Sequence, residues 1–387
     1  GMEYRDGAPP TAVVEAASQW SDLSKGEPTG LESHYREAGV QQVFSDLQEV
    51  LVPMHEAFQK PYFVAPERHP LSWETVFPNL LPIRKTFLAT AGYSHFLLAS
   101  GRVDAAIQAQ LPALHFTKAL SQPPRALIAT MLSVACGDIS RHSLAMLLSR
   151  AGDRVSTAVL LDLSKTLEAT QMPADQLMLS LEDEFFAMLN SAQAVRQNGY
   201  VQMEPLVRIA LSLAPGLAER ELRLIKNEYL ESLHHFKNDS ETDYLNFMTN
   251  SQSQATATGW FSGQSSPVTD MALTNFSSAS HSFRLARARQ AYLHLWVGLI
   301  LQQRQHQRWP ASLEGMQKLG YQPLDGLDLS RVTLSQFELG YVPPEPEAQK
   351  LKVNSPTPGM ERWNLLNVPE WKALIHNPRR PRSTSSQ

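Results

Sequence analysis

Apolar residues recur every three or four positions over most of the chain, the repeat of an amphipathic helix. The pattern is densest from Leu80 to Arg150, where it predicts helices over 80–100, 103–120 and 124–149. In the middle one Ala106, Ala109, Ala113, Phe116 and Leu120 form a single stripe. Gly101 stands where the first should end and Pro124 where the third should begin, following the asymmetry that places glycine after a helix and proline in its first turn. Pro112 falls inside the second and is expected to bend it, because its ring clashes with the preceding turn and it has no N–H to donate.

Upstream, Val40, Phe44, Leu47, Leu51 and Met54 mark a helix from about Leu31 to Gln59, with Pro53 at a kink or division. Residues 1–30 are small, polar and broken by Pro9, Pro10, Gly26, Pro28 and Gly30, so they read as an extended lead-in with one short helix near 11–20. Gly1 ahead of Met2 has the look of a residue left by tag cleavage and is set aside. The proline- and aromatic-rich stretch 60–79 reads as an ordered arm, or as a pocket wall carrying Tyr62, Phe63, Trp73 and Phe77.

Downstream, helices are expected over 153–169, from Pro173 along Leu177, Leu181, Phe185, Met188 and Val195, over 203–214, and over 217–237 with Leu222, Ile225, Tyr229, Leu233 and Phe236 in phase. From Asn238 to Ser282 serine, threonine, asparagine and glutamine dominate, which predicts a long loop tacked down by Trp260 and Phe261. A helix over 282–307 follows, with Leu285, Ala288, Tyr292, Leu295 and Leu299 as its seam. Three short strands are expected within 331–342, 349–355 and 361–367, then a basic tail.

The expected fold is therefore mainly α: an irregular array or bundle of α-α hairpins with a small antiparallel β element near the C-terminus. Its divisions are a lead-in at 1–30, a helical-hairpin domain at 31–237, a polar loop at 238–282, a long helix packing on the helical domain at 283–320, a β-containing element at 321–377 and a disordered basic tail at 378–387.

Composition narrows the chemistry. Over 387 residues, 34 Lys+Arg against 38 Asp+Glu leave a net charge of -4, which gives no basic footprint for nucleic acid. The lone cysteine, Cys136, lies in an apolar stretch and reads as a small buried hydrophobe, and one cysteine cannot build a multi-cysteine zinc site. The longest apolar run, 293–301, is interrupted by His294 and is far short of the roughly 20 residues a spanning helix needs.

Phosphate-loop, dinucleotide, zincin and nucleophile-elbow motifs are missing from the sequence. Glu231 and His234 stand three apart, the spacing of a di-iron helix, but a second such pair is lacking, and Glu231 with His235 reads equally as a surface pair. Asp138 and His142 read as a charge-assisted hydrogen bond within one helix. His95 and His115, on apolar helices, read as core or edge residues bonded to backbone. No residue is assigned a catalytic, cofactor or metal role.

The run PLSWETVFPNLLPIRKTFLATAGYSHFLLASGRVDAAIQAQLPALHFTKAL resembles the centre of a broad family of uncharacterised bacterial proteins, in which L-x-P-x-R leads into a helix, a G-x-x-D-A-A turn and a second helix. TLEATQMPADQLMLSLEDEF and LILQQRQHQRWPASLEGM are similar to that family's later segments, so the resemblance covers most of 60–320. The turn at 101–114 is also weakly similar to a tetratricopeptide repeat, although Gln110 stands where that repeat wants a large apolar residue. The resemblance implies an envelope-associated helical protein, with any membrane anchor in a segment absent from this chain. A non-catalytic protein-interaction scaffold is the first reading. A ligand-binding module with an aromatic groove is the second, and an enzyme of unfamiliar type the third. The expected partner is another protein; oligomeric state is left open.

Overall fold

The computed structural model describes residues 10–23, 31–58, 60, 81–121, 127–184, 186, 223, 227, 230, 231, 234, 235, 267–307, 310, 312–318, 320–327, 329–334, 338–341 and 371–374. It is mainly helical. The N-terminal helices are α1 (Thr11–Leu23), α2 (Leu31–His34), α3 (Ala38–Phe58) and α4 (Leu81–Ala99). The centre comprises α5 (Val103–Gln108), α6 (Leu111–Ser121), α7 (Leu127–Ala151), α8 (Thr157–Ala169) and α9, described over 176–184. Next come α10 (Pro267–His306) and α11 (Leu313–Lys318).

Helix α4 is the hub. It packs against α1, α3, α5 and α7 and is buried nearly all round, which an amphipathic helix is not. Burial of its polar residues is made tolerable by spacing. Thr86, Thr90 and Ser94 stand four apart, and their hydroxyls donate to the carbonyls of Pro82, Thr86 and Thr90 at 3.0, 2.9 and 2.9 Å. Gln110 adds a cross-link, donating from Nε2 to Ser94 Oγ at 2.7 Å and to Thr90 O at 3.2 Å. Small residues let the neighbours approach closely: a Cβ on Gly92 would lie 3.1 Å from the ring of Phe44 and 3.3 Å from the Ala16 carbonyl.

The lead-in helix is part of this body. Val13, Ala16, Ala17 and Trp20 are all buried, so α1 is built into the core rather than laid over it. Helix α3 carries Pro53 on its exposed side and runs through it without division.

Gly101 ends α4 at φ +78°, with Gly101 N–H donating to Leu98 O and Arg102 N–H to Leu97 O at 2.9 Å each; these bonds use the last carbonyls of the helix. The expected helix at 103–120 is two helices. The break falls at Ala109–Gln110, and Pro112 lies in the first turn of α6, where a missing N–H costs nothing. It begins a helix instead of bending one. Asp104 reaches from the first turn of α5 to the N-cap of α8, accepting from Ser156 N–H at 2.7 Å, while Ser156 Oγ accepts from Val159 N–H.

Helix α10 starts at Pro267, well inside the segment expected to be loop; residues 238–266 of that segment lie outside the described residues. Propensity alone disfavours helix in a serine-rich run, but adding a turn to an existing helix is cheap once Ala279 and Phe283 find a core. Its seam, including Leu293, Leu295, Trp296 and Leu299, buries against α7 and α8. The described positions near 217–237, namely 223, 227, 230, 231, 234 and 235, are helical.

Beyond α11 the backbone forms short extended segments, β1 (Val332–Leu334), β2 (Glu338–Tyr341) and β3 (Trp371–Leu374), with Leu334 opposite Leu339 and Leu339 opposite Ala373. Tyr292 of α10 donates its hydroxyl to Leu339 O at 2.8 Å. The expected strands at 349–355 and 361–367 lie outside the described residues.

Candidate functional site

Three groups of buried side chains where helices meet carry titratable residues. The first joins α7, α8 and α10. Asp138 and Arg141, three apart on α7, pair at 2.8 Å (Nη2 to Oδ1), and Asp138 Oδ2 also accepts from Arg289 Nη1 of α10 at 2.6 Å. Arg141 is almost fully buried, its guanidinium lying on Gly137, where a Cβ would come within 2.8 Å of both terminal nitrogens. Nη1 donates to Gln290 Oε1 at 3.1 Å, and Gln290 Nε2 donates to Leu167 O at 2.7 Å and Thr170 Oγ1 at 3.2 Å. Burial works against the charge on Arg289, and Asp138 supports it. One carboxylate of α7 facing two guanidiniums, Arg141 of its own helix and Arg289 of α10, is a lock. Asp138 therefore bonds to arginines and not to His142, contrary to the within-helix pair expected from spacing.

The second cluster is Ser164, His294 and Tyr321. His294 Nε2 lies 3.0 Å from Ser164 Oγ of α8, and Nδ1 lies 3.0 Å from Tyr321 Oη. With the ring proton on Nδ1, the imidazole donates to Tyr321 and accepts from Ser164; the other tautomer reverses both. Burial holds His294 below the usual imidazole range, with Glu168 pulling weakly the other way, and pushes the Tyr321 phenol up. Tyr321 stacks on His294 with centroids 5.4 Å apart. A hydroxyl, a neutral base and a group orienting that base are the parts of a nucleophile pair, and they also describe an interhelical hydrogen-bond chain. Residues 130 apart in sequence gave no local motif; the one trace was a histidine inside the apolar run 293–301.

The third lies under α1. Trp20 stacks on His95 of α4, centroids 4.6 Å apart and planes 23° from parallel, and sits 6.4 Å from His142 of α7. Neither nitrogen of His95 has a hydrogen-bond partner of good geometry, so it is a core histidine but not the backbone-bonded one expected; the Ser143 backbone only weakly favours its charged form. His142 Nε2 is likewise out of water and unbonded, although part of that side chain reaches the surface. Burial first, then Arg150 and His142, depress His95 to about 3; burial and Arg289 depress His142 to about 4 against the pull of Asp138.

The other candidates stand apart from these clusters. Glu231 and His234 are exposed, and His234 meets His235 edge-on at 5.8 Å. His115 is on the exposed face of α6. Cys136 is fully buried and its thiol is pushed well above the usual range. Tyr62, Phe63, Trp73 and Phe77 lie outside the described residues. Among the described residues no three His, Cys, Asp or Glu side chains are placed to hold a metal ion, and no helix is long and apolar enough to cross a membrane. Compared with protein-family models, curated proteins and solved structures, the chain finds no match.

Proposed function

We propose that the protein is a non-catalytic interaction scaffold of the bacterial cell envelope, of the kind its resemblance to uncharacterised helical envelope proteins implies. The observation that carries this reading is the direction of the interior polar groups: Arg141, Gln290, Gln110 and Asp104 each end on a neighbouring helix or turn. Such bonds fix helix against helix and leave recognition to outward faces. Those faces carry Val52, Ile128 and Leu161, each about half exposed. Photo-cross-linking amino acids placed at Ile128 and Leu161 in the native cell test it. A discrete protein adduct, lost when Leu161 is replaced by arginine, is expected; failure of both positions to trap any protein would sink the reading. The small antiparallel C-terminal element belongs to the same proposal, with β2 pairing β3 as its support.

A second reading, an enzyme, has one observation in its favour, the 3.0 Å approach of Ser164 Oγ to His294 Nε2. Treatment with a fluorophosphonate followed by peptide mass spectrometry decides between the two. A covalent adduct on Ser164 would displace the scaffold reading.

A further inference from the structure

Helix α1 packs on α4 and on α3, with Gln19 reaching His34 of α2 at 2.7 Å; its buried face is Val13, Ala16, Ala17 and Trp20, and the ring that ends this face stacks on one imidazole and lies 6.4 Å from a second. Trp20 is 1% exposed and His95 2%. A neutral imidazole can be enclosed without partners at moderate cost. A protonated one has two N–H donors and a charge to satisfy, and the space under Trp20 offers neither.

The charged groups facing this space all press the same way on His95. Arg150 and His142, both from α7, oppose a positive charge there, and the only favourable contribution is the Ser143 backbone. Around His142, Arg289 of α10 opposes a charge, while Asp138 favours one but already holds Arg141 and Arg289. The buried phenol of Tyr35, also in the field of Arg150, is shifted upward and away from this range, so it supplies no counter-charge in acid.

We propose that Trp20, stacked on His95 and set close to His142, is an acid-operated latch, whose opening lifts α1 off α4 and α3 while α7, α8 and α10 stay packed. Opening lets both rings reach water and removes the burial that is the first cause of their neutrality, so they take up protons closer to their ordinary value of 6.5, whereas the closed state keeps them neutral. Acid therefore favours the open form, by up to about 30-fold per histidine at pH 5 and up to about a thousandfold for the pair. The lock among Asp138, Arg141, Arg289 and Gln290 ties α7, α8 and α10 but includes no residue of α1, so the helix can leave without breaking it.

Backbone hydrogen exchange on the intact protein, corrected for the intrinsic pH dependence of exchange, reads the latch directly. Protection of amides in 14–23 should fall by up to about a thousandfold between pH 7 and pH 5, while amides in 139–148 and 160–167 keep theirs. In His142→Leu the fall should shrink to at most about 30-fold, and His95→Leu, if it folds, should do the same. The proposal is overturned if α1 keeps its protection at pH 5, if α1 and α7 lose protection together, or if the fall is as large in His142→Leu as in the parent.

Discussion

The Cδ2–Cε2 side of the Tyr321 ring lies against Gly298, so close that a Cβ at 298 would stand 2.5 Å from Cε2 and 2.7 Å from Cδ2. One turn earlier on α10, Nδ1 of His294 lies 3.0 Å from the Tyr321 hydroxyl. The glycine thus makes the seat and the histidine fixes the end. Tyr321 is delivered there by the close of α11, where Gly320 takes φ +89° and Tyr321 N–H donates to Met316 O at 3.1 Å.

Gly298→Ala should destabilise the protein by about 2 kcal/mol, because the ring must move out of its seat. Tyr321→Phe should cost about 1 kcal/mol by removing the hydroxyl from His294. Combined with Tyr321→Ala, Gly298→Ala should become nearly neutral. Urea unfolding of the four variants measures this coupling, and simple additivity would contradict it.

Asp138 is the shared anion of two buried or half-buried guanidiniums. Asp138→Asn should cost about 3 kcal/mol, since both cations stay behind with no counter-charge. Removing one cation as well, in Asp138→Asn with Arg141→Met, should recover part of that loss, although the new side chain must still fit over Gly137. Thermal unfolding of the single and double variants would decide; a double variant worse than the sum of its parts would count against the lock.

Gln110 carries a buried Oε1 with no partner, and its own acceptor Ser94 already donates to Thr90 O. Replacing it with methionine should therefore be neutral or stabilising by up to about 1 kcal/mol, because an unbonded polar atom leaves the core and no other group is orphaned. A clear loss in chemical denaturation would show that the Gln110 cross-link to α4 outweighs its unbonded oxygen.

His55, His95, His115, His142, His281 and His294 are all held below the ordinary imidazole value, in each case chiefly by burial. The unfolded chain protonates near 6.5 and the folded one only at lower pH, so the unfolded state binds more protons in between. Stability is full above about pH 6.5 and falls as pH drops toward 4, with His95 and His142 each contributing about 2 kcal/mol of loss by pH 5. Equilibrium urea unfolding at pH 8, 6.5 and 5 tests the sign; a protein equally stable at pH 8 and pH 5 would contradict it.

Much of the helical layout is written in local periodicity. Every residue of the stripe Val40, Phe44, Leu47, Leu51 and Met54 is on the buried side of α3, to which the structure adds Phe58, because a repeat of 3.6 positions fixes which side chains share a face whatever they later touch. Gly101 likewise marks its own helix end, since positive φ is a local demand. Other features needed the folded chain. Pro112 is compatible with a bend or with a first turn, and packing chose the first turn. The serine-rich run after Pro267 is helix, with Ala279 and Phe283 buried, although its composition alone disfavours one. Asp138 could have turned to His142 four positions away, but Arg289, 151 positions away, arrives at 2.6 Å. The union of Ser164 with His294 and the cover of Trp20 on His95 follow the same rule. Stripes and helix ends depend on neighbours along the chain, so the sequence determines them; partners of buried polar groups depend on which helices become neighbours in space, and only the tertiary structure decides that.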